Sequence, residues 1–211
     1  MIEYHYLDVT GLLSPFKNIL HQYVTEAIDV VGPRLDICAD LCISHDPPNC
    51  NPEMGIGGGA FSPSLMHIFL DANNPNIEQS IRDEILAVLA HESHHCVRMQ
   101  KVPDHVTLLD NIVTEGLACH FEKEITGCAA PSFIPDEVLN ASRELLRSMR
   151  PSLEETEFCF DTYFLGKDTK KYPKYAGFAV GFELVSQYLA KTKSTASEAV
   201  YVPASDVLSI V

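Results

Sequence analysis

The sequence is poor in positive charge. Lysine and arginine number 15 against 29 aspartate and glutamate residues, which gives a formal net charge of −14 at pH 7. A chain with this excess of carboxylates repels the phosphate backbone of nucleic acids and the anionic headgroups of lipids. We therefore expect neither a nucleic acid nor a membrane surface as a partner.

Long hydrophobic segments are also absent. The longest apolar run, Ile85–Ala90, is far shorter than the roughly 20 residues that a membrane-spanning helix needs. Residues Met1–Asp8 lack the cationic stretch and following apolar stretch of a secretory signal. Seven cysteines, an odd number at scattered positions, argue against a complete disulfide framework and for a reducing compartment. These features predict a cytoplasmic protein.

The composition is typical of a globular protein. Of the 211 residues, 46% are hydrophobic and 21% are charged, and no repeat or linker divides the chain. We expect a single domain over residues 1–211 with an α+β fold. A sheet-containing part should occupy about residues 1–75 and a helical part about residues 76–211. The fold is therefore predicted to be mainly helical, with a small N-terminal β-sheet.

The spacing of apolar residues locates the individual elements. Alternating apolar and polar residues predict a strand at Leu35–Ile43, and a second strand is predicted at Leu65–Leu70. Between them, Asp46–Gly59 is dense in proline, asparagine and glycine and predicts a loop. Helical spacing predicts helices from Ser14 to Val31, from about Asn76 to Gln100 and from about Val106 to Thr126. Pro103 should close the second of these helices, and Gly127 should end the third as a left-handed cap. Further helices are predicted at about residues 135–149, 154–164 and 176–190 and near the C-terminus.

One motif on the second of these helices carries chemistry. Residues His91-Glu92-Ser93-His94-His95 contain the pattern His-Glu-x-x-His. Side chains four positions apart lie on one face of an α-helix, so His91 and His95 can bind one tetrahedral Zn²⁺ through their imidazole nitrogens. Glu92 then lies beside the open coordination position, where a carboxylate can accept a proton from water. The pattern therefore predicts a catalytic zinc site.

A third protein ligand is expected, because catalytic zinc sites use three protein ligands and leave one position open. Glu115 is the first candidate, since it lies 20 residues after His95 on the next predicted helix, at a distance that suits an antiparallel return. Its small neighbours Gly116 and Ala118 would let this helix approach the helix of the motif. Glu122, seven positions further on the same helix face, is the competing candidate.

These segments together resemble a known family. Four segments carry the resemblance: His91-Glu-x-x-His95, the following Glu115-Gly-Leu-Ala, the upstream Gly57-Gly-Gly-Ala-Phe-Ser-Pro and the downstream Tyr175-Ala-Gly-Phe-Ala-Val-Gly-Phe-Glu-Leu-Val. They are similar to the YjaZ-type predicted zinc-dependent proteases of the gluzincin group. The similarity spans about residues 35–190. The resemblance implies a zincin-like metallopeptidase domain with one Zn²⁺ per chain, His91, His95 and Glu115 as ligands, and Glu92 as the catalytic base.

The chain departs from the gluzincin pattern at one position. Many gluzincins carry an acidic residue four positions after the ligand glutamate, where it orients the first histidine, and this chain has Cys119 there. Asn111 or Glu122 would have to orient His91 instead. The resemblance also suggests that Leu65–Leu70 is an edge strand beside the motif helix, able to pair with an extended substrate.

Peptide hydrolysis also needs a donor for the developing oxyanion. Tyr175 is the first candidate and Tyr172 the second, since both precede a predicted helix where a side chain can project into a cleft. A packing role is an equally good reading of either tyrosine. His120 is a weaker candidate, because it is expected to point away from the face that carries Glu115.

The sequence therefore predicts a zinc-dependent hydrolase, most simply a peptidase acting on a peptide or protein substrate. The alternative is a non-catalytic zinc-binding protein with a regulatory or interaction role that retains a zincin fold. Glu92 discriminates between them, because a purely structural zinc site does not need a base beside an open coordination position.

Overall fold

The computed structural model describes residues 1–102 and 106–210. The chain divides into two compact units, residues 1–100 and residues 101–211. As predicted, the fold class is α+β, with a small mixed sheet and a larger number of helices. Pro103, predicted to close the helix of the motif, lies outside the described residues. Within the described ranges, none of the helices combines the length and the hydropathy that crossing a membrane requires.

The N-terminal unit contains a four-stranded sheet. Its strands are β1 (Ile2–Leu7), β2 (Ala39–His45), β3 (Ile56–Ser62) and β4 (Leu65–Leu70), and their order in the sheet is β1-β2-β4-β3. β2 is parallel to both β1 and β4, whereas β3 is antiparallel to β4. The predicted bounds of β4 are confirmed, and β2 begins four residues later than predicted, at Ala39 instead of Leu35.

Two predictions about this sheet are wrong. The predicted loop Asp46–Gly59 ends too late, because its last glycines belong to β3, where Gly57, Gly58 and Gly59 pair with residues of β4. Pairing across the sheet overrides the low strand propensity of glycine. β4 is also not an edge strand, since it lies between β2 and β3. The edge strand on that side of the sheet is β3.

Two helices complete the N-terminal unit. α1 (Lys17–Val31) follows a short 3₁₀ turn at Ser14–Phe16, so the α-helix begins three residues after the predicted start, and it packs on α2 (Ile77–Met99). α2 also contacts β3 and β4. The helix is amphipathic only in its first half. Its last turns, His91–Arg98, are buried on every side, which is unusual for a segment with three histidines, a glutamate and an arginine.

The C-terminal unit is helical. Its elements are α3 (Leu108–Thr126), α4 (Asp136–Asn140), α5 (Ser142–Met149), α6 (Phe160–Tyr163), α7 (Ala176–Thr192) and α8 (Ala204–Ile210). α3 begins with a capping box formed by Thr107 and Asp110 and ends at the left-handed Gly127, as predicted. α3 and α7 pack along their length, and α8 contacts both.

Two helix predictions in this unit need correction. The segment predicted at 135–149 is two helices, α4 and α5, which meet at Ala141. The prediction of a helix at 154–164 is wrong, because only the single turn of α6 is helical in this segment. The amides of Leu108 and Leu109 donate to the carbonyls of Glu155 and Leu153 at 3.0 and 2.9 Å, which holds this segment in an irregular conformation against the first turn of α3.

α3 and α7 approach each other at backbone distance. A Cβ atom placed on Gly116 would lie 2.3 Å from the carbonyl oxygen of Gly181, and one on Gly181 would lie 2.1 Å from the carbonyl oxygen of Ile112. Gly116 is predicted above to face the helix of the motif, but the contact that requires a glycine there is with α7. Only glycine fits at either position without moving a helix.

Gly116→Ala and Gly181→Ala are therefore expected to destabilise the protein. Overpacking a core contact costs roughly 1–3 kcal/mol, and here the atoms in the way are backbone, which cannot rotate aside. This cost exceeds the roughly 1 kcal/mol that alanine gains over glycine in helix propensity. Urea denaturation should show the loss as a lower midpoint with an unchanged slope.

Gly32→Ala is the control for this stability experiment, because no atom lies within 4 Å of a Cβ placed there and its φ is negative. We expect its midpoint to stay close to that of the wild-type protein. Wild-type stability in both Gly116→Ala and Gly181→Ala would contradict the close contact between α3 and α7.

Candidate metal centre

The two histidines of the motif lie together on α2. His91 and His95 are 8% and 7% exposed, and their ring centroids are 4.7 Å apart with the ring planes at 76°. A nitrogen of one ring lies within 4.8 Å of a nitrogen of the other. Two imidazoles one turn apart are a donor pair that suits zinc. Their burial also shows that these two histidines do not belong to a solvated polar face of the helix.

Glu92 lies against the edge strand of the sheet. A Cβ atom placed on Gly58 of β3 would lie 2.7 Å from Cγ and from Oε1 of Glu92, and 2.7 Å from Cγ1 of Val88. The carboxylate of Glu92 is thus in contact with the backbone of β3, at a point where any side chain would displace it. The sequence indicates only that three successive glycines permit a close backbone approach; the structure identifies Glu92 as the group approached.

Glu115 is a buried residue of α3, 8% exposed, in the C-terminal unit. It lines a cleft of about 440 Å³ together with Asn111, Thr156, Phe158 and Phe160. Glu122, the competing candidate, is also buried, at 6% exposed, but it is not among the residues that line this cleft. Both carboxylates belong to groups of buried side chains that could hold a metal ion, and of the two only Glu115 also lies at the wall of this cleft.

Asn111, one of the candidates for orienting His91, has another contact within its own unit. Asn111 lies one turn before Glu115, and its side-chain amide donates to the carbonyl of Thr107 at 2.8 Å. Cys119, at the position where many gluzincins carry an acidic residue, is fully buried in a hydrophobic cluster. Cys119 therefore takes part in core packing, and the role of the acidic residue would fall to another side chain.

The three candidates for the oxyanion donor have different surroundings. Tyr175 is half-buried, caps the start of α7 with a left-handed φ of 69°, and packs against Phe133 at 5.2 Å between ring centroids. Tyr172 is buried in the core, with its hydroxyl donating to the carbonyl of Ser148 at 3.4 Å. Tyr172 thus packs in the helical core of the C-terminal unit. Positive φ at a tyrosine is rare and marks Tyr175 as a constrained position.

His120 is the least suitable of the three. Its ring stacks on Phe182 at 4.2 Å, and its Nε2 donates to the carbonyl of Phe182 at 2.8 Å. Burial lowers the pKa of His120 to about 4, with the nearby Lys123 adding to the effect and the hydrogen bond to Phe182 opposing it. The imidazole is therefore neutral near pH 7, and its Nε2 proton is already engaged.

A further group of side chains that could hold a metal ion lies on the exposed face of β1 and β2. Glu3, His5 and Asp40 are exposed, and Nε2 of His5 is 2.9 Å from Oδ1 of Asp40. Such exposed groups are well solvated and gain little from binding a cation. The buried histidines of α2 remain the stronger metal-binding candidates.

The protein thus has an α+β fold and a helix on which the whole His-Glu-x-x-His segment is buried. The chain belongs to the family described as "Predicted Zn-dependent protease (DUF2268)", which it matches over residues 16–209. This membership confirms the resemblance noted in the sequence and supports zinc dependence. No solved structure matches the chain.

Two curated relatives come from Bacillus subtilis (strain 168). The uncharacterized protein YjaZ is 30% identical over 131 residues, which is 59% of this chain and 49% of the relative. The uncharacterized protein YjfC is 25% identical over 177 residues, which is 78% of this chain and 58% of the relative. The chain thus spans 49% to 58% of the length of these relatives.

Three residues of the cleft were not singled out by the sequence: Thr156, Phe158 and Phe160. They belong to the segment predicted to be helical, where the aromatic residues read as ordinary core positions. No local pattern distinguishes a phenylalanine that lines a cleft from one that fills a core.

Proposed function

We propose that this protein is a zinc-dependent peptidase of the gluzincin type, a single zincin-like domain over residues 1–211 that binds one Zn²⁺ per chain. His91, His95 and Glu115 are the proposed ligands. The observation that carries the proposal is the burial of the whole His-Glu-x-x-His segment on α2 with its two imidazoles in contact. Two buried imidazoles one helical turn apart are a donor pair that suits one zinc ion.

The proposed division of labour follows from the type and position of each side chain. A zinc ion held by the three ligands supplies Lewis-acid chemistry, which makes water nucleophilic near neutral pH and polarises the carbonyl of the substrate. Glu92 accepts the proton of the attacking water and delivers it to the leaving amine. Tyr175 donates a hydrogen bond to the developing oxyanion.

The edge strand gives this proposal a means of orienting the substrate. β3 pairs with β4 on one side. On its other side the amide of Asn51 donates to the carbonyl of Ile56 at 3.0 Å, so an extended peptide would pair with the part of β3 beyond Ile56. Because Gly58 of this strand contacts the carboxylate of Glu92, a peptide paired with β3 passes close to the base. Alignment along β3 therefore replaces the earlier expectation of pairing along Leu65–Leu70.

The experiment that tests the function is a peptide-library screen with the metal content measured in parallel. We expect about one zinc per chain, cleavage of peptides, and loss of cleavage on chelation with recovery on adding zinc. Stoichiometric zinc without cleavage of any peptide would favour the non-catalytic zinc-binding alternative. Absence of zinc from protein purified under metal-replete conditions would contradict both.

The contact between Gly58 and Glu92 leads to a further prediction. Gly58→Ala is expected to displace the carboxylate of Glu92 and to lower kcat/KM by about 10- to 100-fold, since a displacement on the order of 1 Å can cost this much. Zinc content should stay at the wild-type level, because the atoms nearest to a Cβ on Gly58 belong to Glu92 and Val88, which are not proposed ligands. Steady-state kinetics and metal analysis of the same preparation measure both quantities.

Gly59→Ala is the matched control on the same strand. The atoms nearest to a Cβ on Gly59 belong to Phe61 and Phe69, at 3.4 Å, which is an ordinary contact distance. We expect this variant to keep at least half of the wild-type kcat/KM. Equal activity of the two variants would show that the approach of β3 to Glu92 has no bearing on catalysis.

A further inference from the structure

The cleft beside Glu115 has features of a pocket for one substrate side chain. Its volume of about 440 Å³ is near the lower end for ligand pockets, which range from roughly 300 to 1,000 Å³. This is enough for a large side chain and its backbone. The lining is asymmetric, with Asn111 and Glu115 on α3 facing the aromatic pair Phe158 and Phe160.

The two aromatic rings are held in place from behind. Phe160 stacks on Phe164 at 4.2 Å with the rings nearly parallel, and Phe158 meets Tyr163 edge to face at 6.1 Å. Both rings pack against the core of the C-terminal unit and remain half-buried. Each ring therefore has a face supported by the core and a surface left for the cleft, which makes a pre-formed apolar wall.

The segment that supplies these rings is also strongly acidic. Glu154, Glu155 and Glu157 are exposed and flank Thr156, the exposed residue at the rim of the cleft. The hydrogen bonds from the first turn of α3 to Leu153 and Glu155 fix this segment beside the cleft. A ligand that enters therefore meets apolar walls inside and negative charge at the rim.

We propose that this cleft is the specificity pocket of the enzyme, and that it takes the aromatic or long aliphatic side chain of the residue next to the cleaved bond in a peptide with basic flanking residues. This proposal rests on the proposed function, because Glu115, a lining residue, is there a zinc ligand. The apolar walls select the side chain, and the three glutamates at the rim favour lysine or arginine in the flanks over aspartate or glutamate.

The test measures binding and cleavage with four fluorescent peptides that differ only in the central residue, Phe or Ala, and in the flanks, Lys or Glu. Binding is measured by fluorescence anisotropy with the Glu92→Gln variant as purified, and kcat/KM with the wild-type protein. We expect the Phe peptide with Lys flanks to bind and to be cleaved at least about tenfold better than its Ala counterpart. The preference for Lys flanks should weaken as salt is raised.

Two kinds of variant examine the pocket itself. Thr156→Trp should fill the cleft from its exposed rim and abolish the preference for Phe over Ala. Thr169→Trp, the same change at an exposed position outside the cleft, should keep this preference.

Phe158→Leu should reduce the preference for Phe over Ala. Phe182 is another half-buried phenylalanine of the same unit, and Phe182→Leu should leave the preference unchanged. Circular dichroism identifies any variant that fails to fold.

The outcomes distinguish this proposal from the proposed function. The protein could bind zinc and cleave the Phe and Ala peptides equally well, or cleave them with a preference for Phe that Thr156→Trp leaves unchanged. Either result would overturn the pocket and leave the proposed peptidase activity standing. The protein could instead bind the Phe peptide better than the Ala peptide, lose this preference in Thr156→Trp and hydrolyse neither peptide. That result would support the pocket and contradict the proposed peptidase activity. Failure of all four peptides to bind would overturn the pocket.

Discussion

Glu92→Gln is expected to lower peptide hydrolysis by about 10²-fold or more while the zinc stays bound. Glutamine keeps the volume and shape of glutamate but cannot accept a proton, so the general base is lost and the metal ligands are untouched. The contact with Gly58 leaves little room for a different side-chain position, so the amide should occupy the place of the carboxylate. Initial rates on a cleaved peptide and the zinc content of the same sample test both parts.

Glu78→Gln is the matched control, because Glu78 lies on the same helix, in its first turn, and is exposed. This variant should hydrolyse the peptide at the wild-type rate. If Glu92→Gln cleaves as fast as the wild-type protein with zinc bound, Glu92 is not the base and the proposed mechanism fails.

Loss of the metal is the expected result of replacing either histidine of the motif. With His91→Ala or His95→Ala, two protein ligands remain, which is too few to hold zinc tightly, so purified variants should contain little zinc and show no hydrolysis. His91→Gln and His95→Gln keep more of the buried volume and separate loss of the ligand from loss of packing. Metal analysis after dialysis against a weak chelator measures the effect.

His21→Ala controls for the loss of an imidazole elsewhere in the N-terminal unit, since His21 is an exposed residue of α1. It should retain about one zinc per chain. Full zinc occupancy in the His91→Ala, His95→Ala double variant would remove the basis for a site on α2.

Glu115 and Glu122 provide a matched pair for the third ligand. Both are buried glutamates of α3, so Glu115→Ala and Glu122→Ala remove the same group from positions of similar burial. We expect Glu115→Ala to weaken zinc binding by more than 100-fold, and Glu122→Ala to weaken it by no more than the roughly 10- to 100-fold typical of a residue that only supports a ligand. The reverse order would make Glu122 the ligand. Glu115 would then no longer connect the proposed pocket with the zinc ion.

Several elements follow from the sequence because short-range interactions specify them. The apolar spacing between Ile77 and Ala90 is sufficient to predict α2, and Gly127 ends α3 because glycine adopts the left-handed conformation easily. The apolar run Leu65–Leu70 likewise matches β4. The His-Glu-x-x-His pattern lies on α2, so the side-by-side position of its two histidines follows from the helical repeat alone.

Other features required the tertiary structure. The apolar spacing does not predict β1, half of whose six residues are exposed. Its pairing with β2 along its whole length makes it a strand. The glycines of β3 indicate a loop when considered locally, and only pairing with β4 makes them a strand. The order of the strands, which makes β3 the edge, depends on contacts between residues far apart in the chain. Such contacts depend on loop closure and packing, which the local sequence pattern does not encode.

Some features of the candidate site likewise follow from the sequence, and others required the tertiary structure. The sequence determined the identity and spacing of His91, Glu92 and His95, because one turn of helix fixes their relation. The tertiary structure decided that Gly58 lies against Glu92, that Gly116 faces Gly181, and that Phe158 and Phe160 line a cleft with Glu115. In each of these cases the partners come from separate segments, and the free energy of packing, rather than any local preference, brings them together.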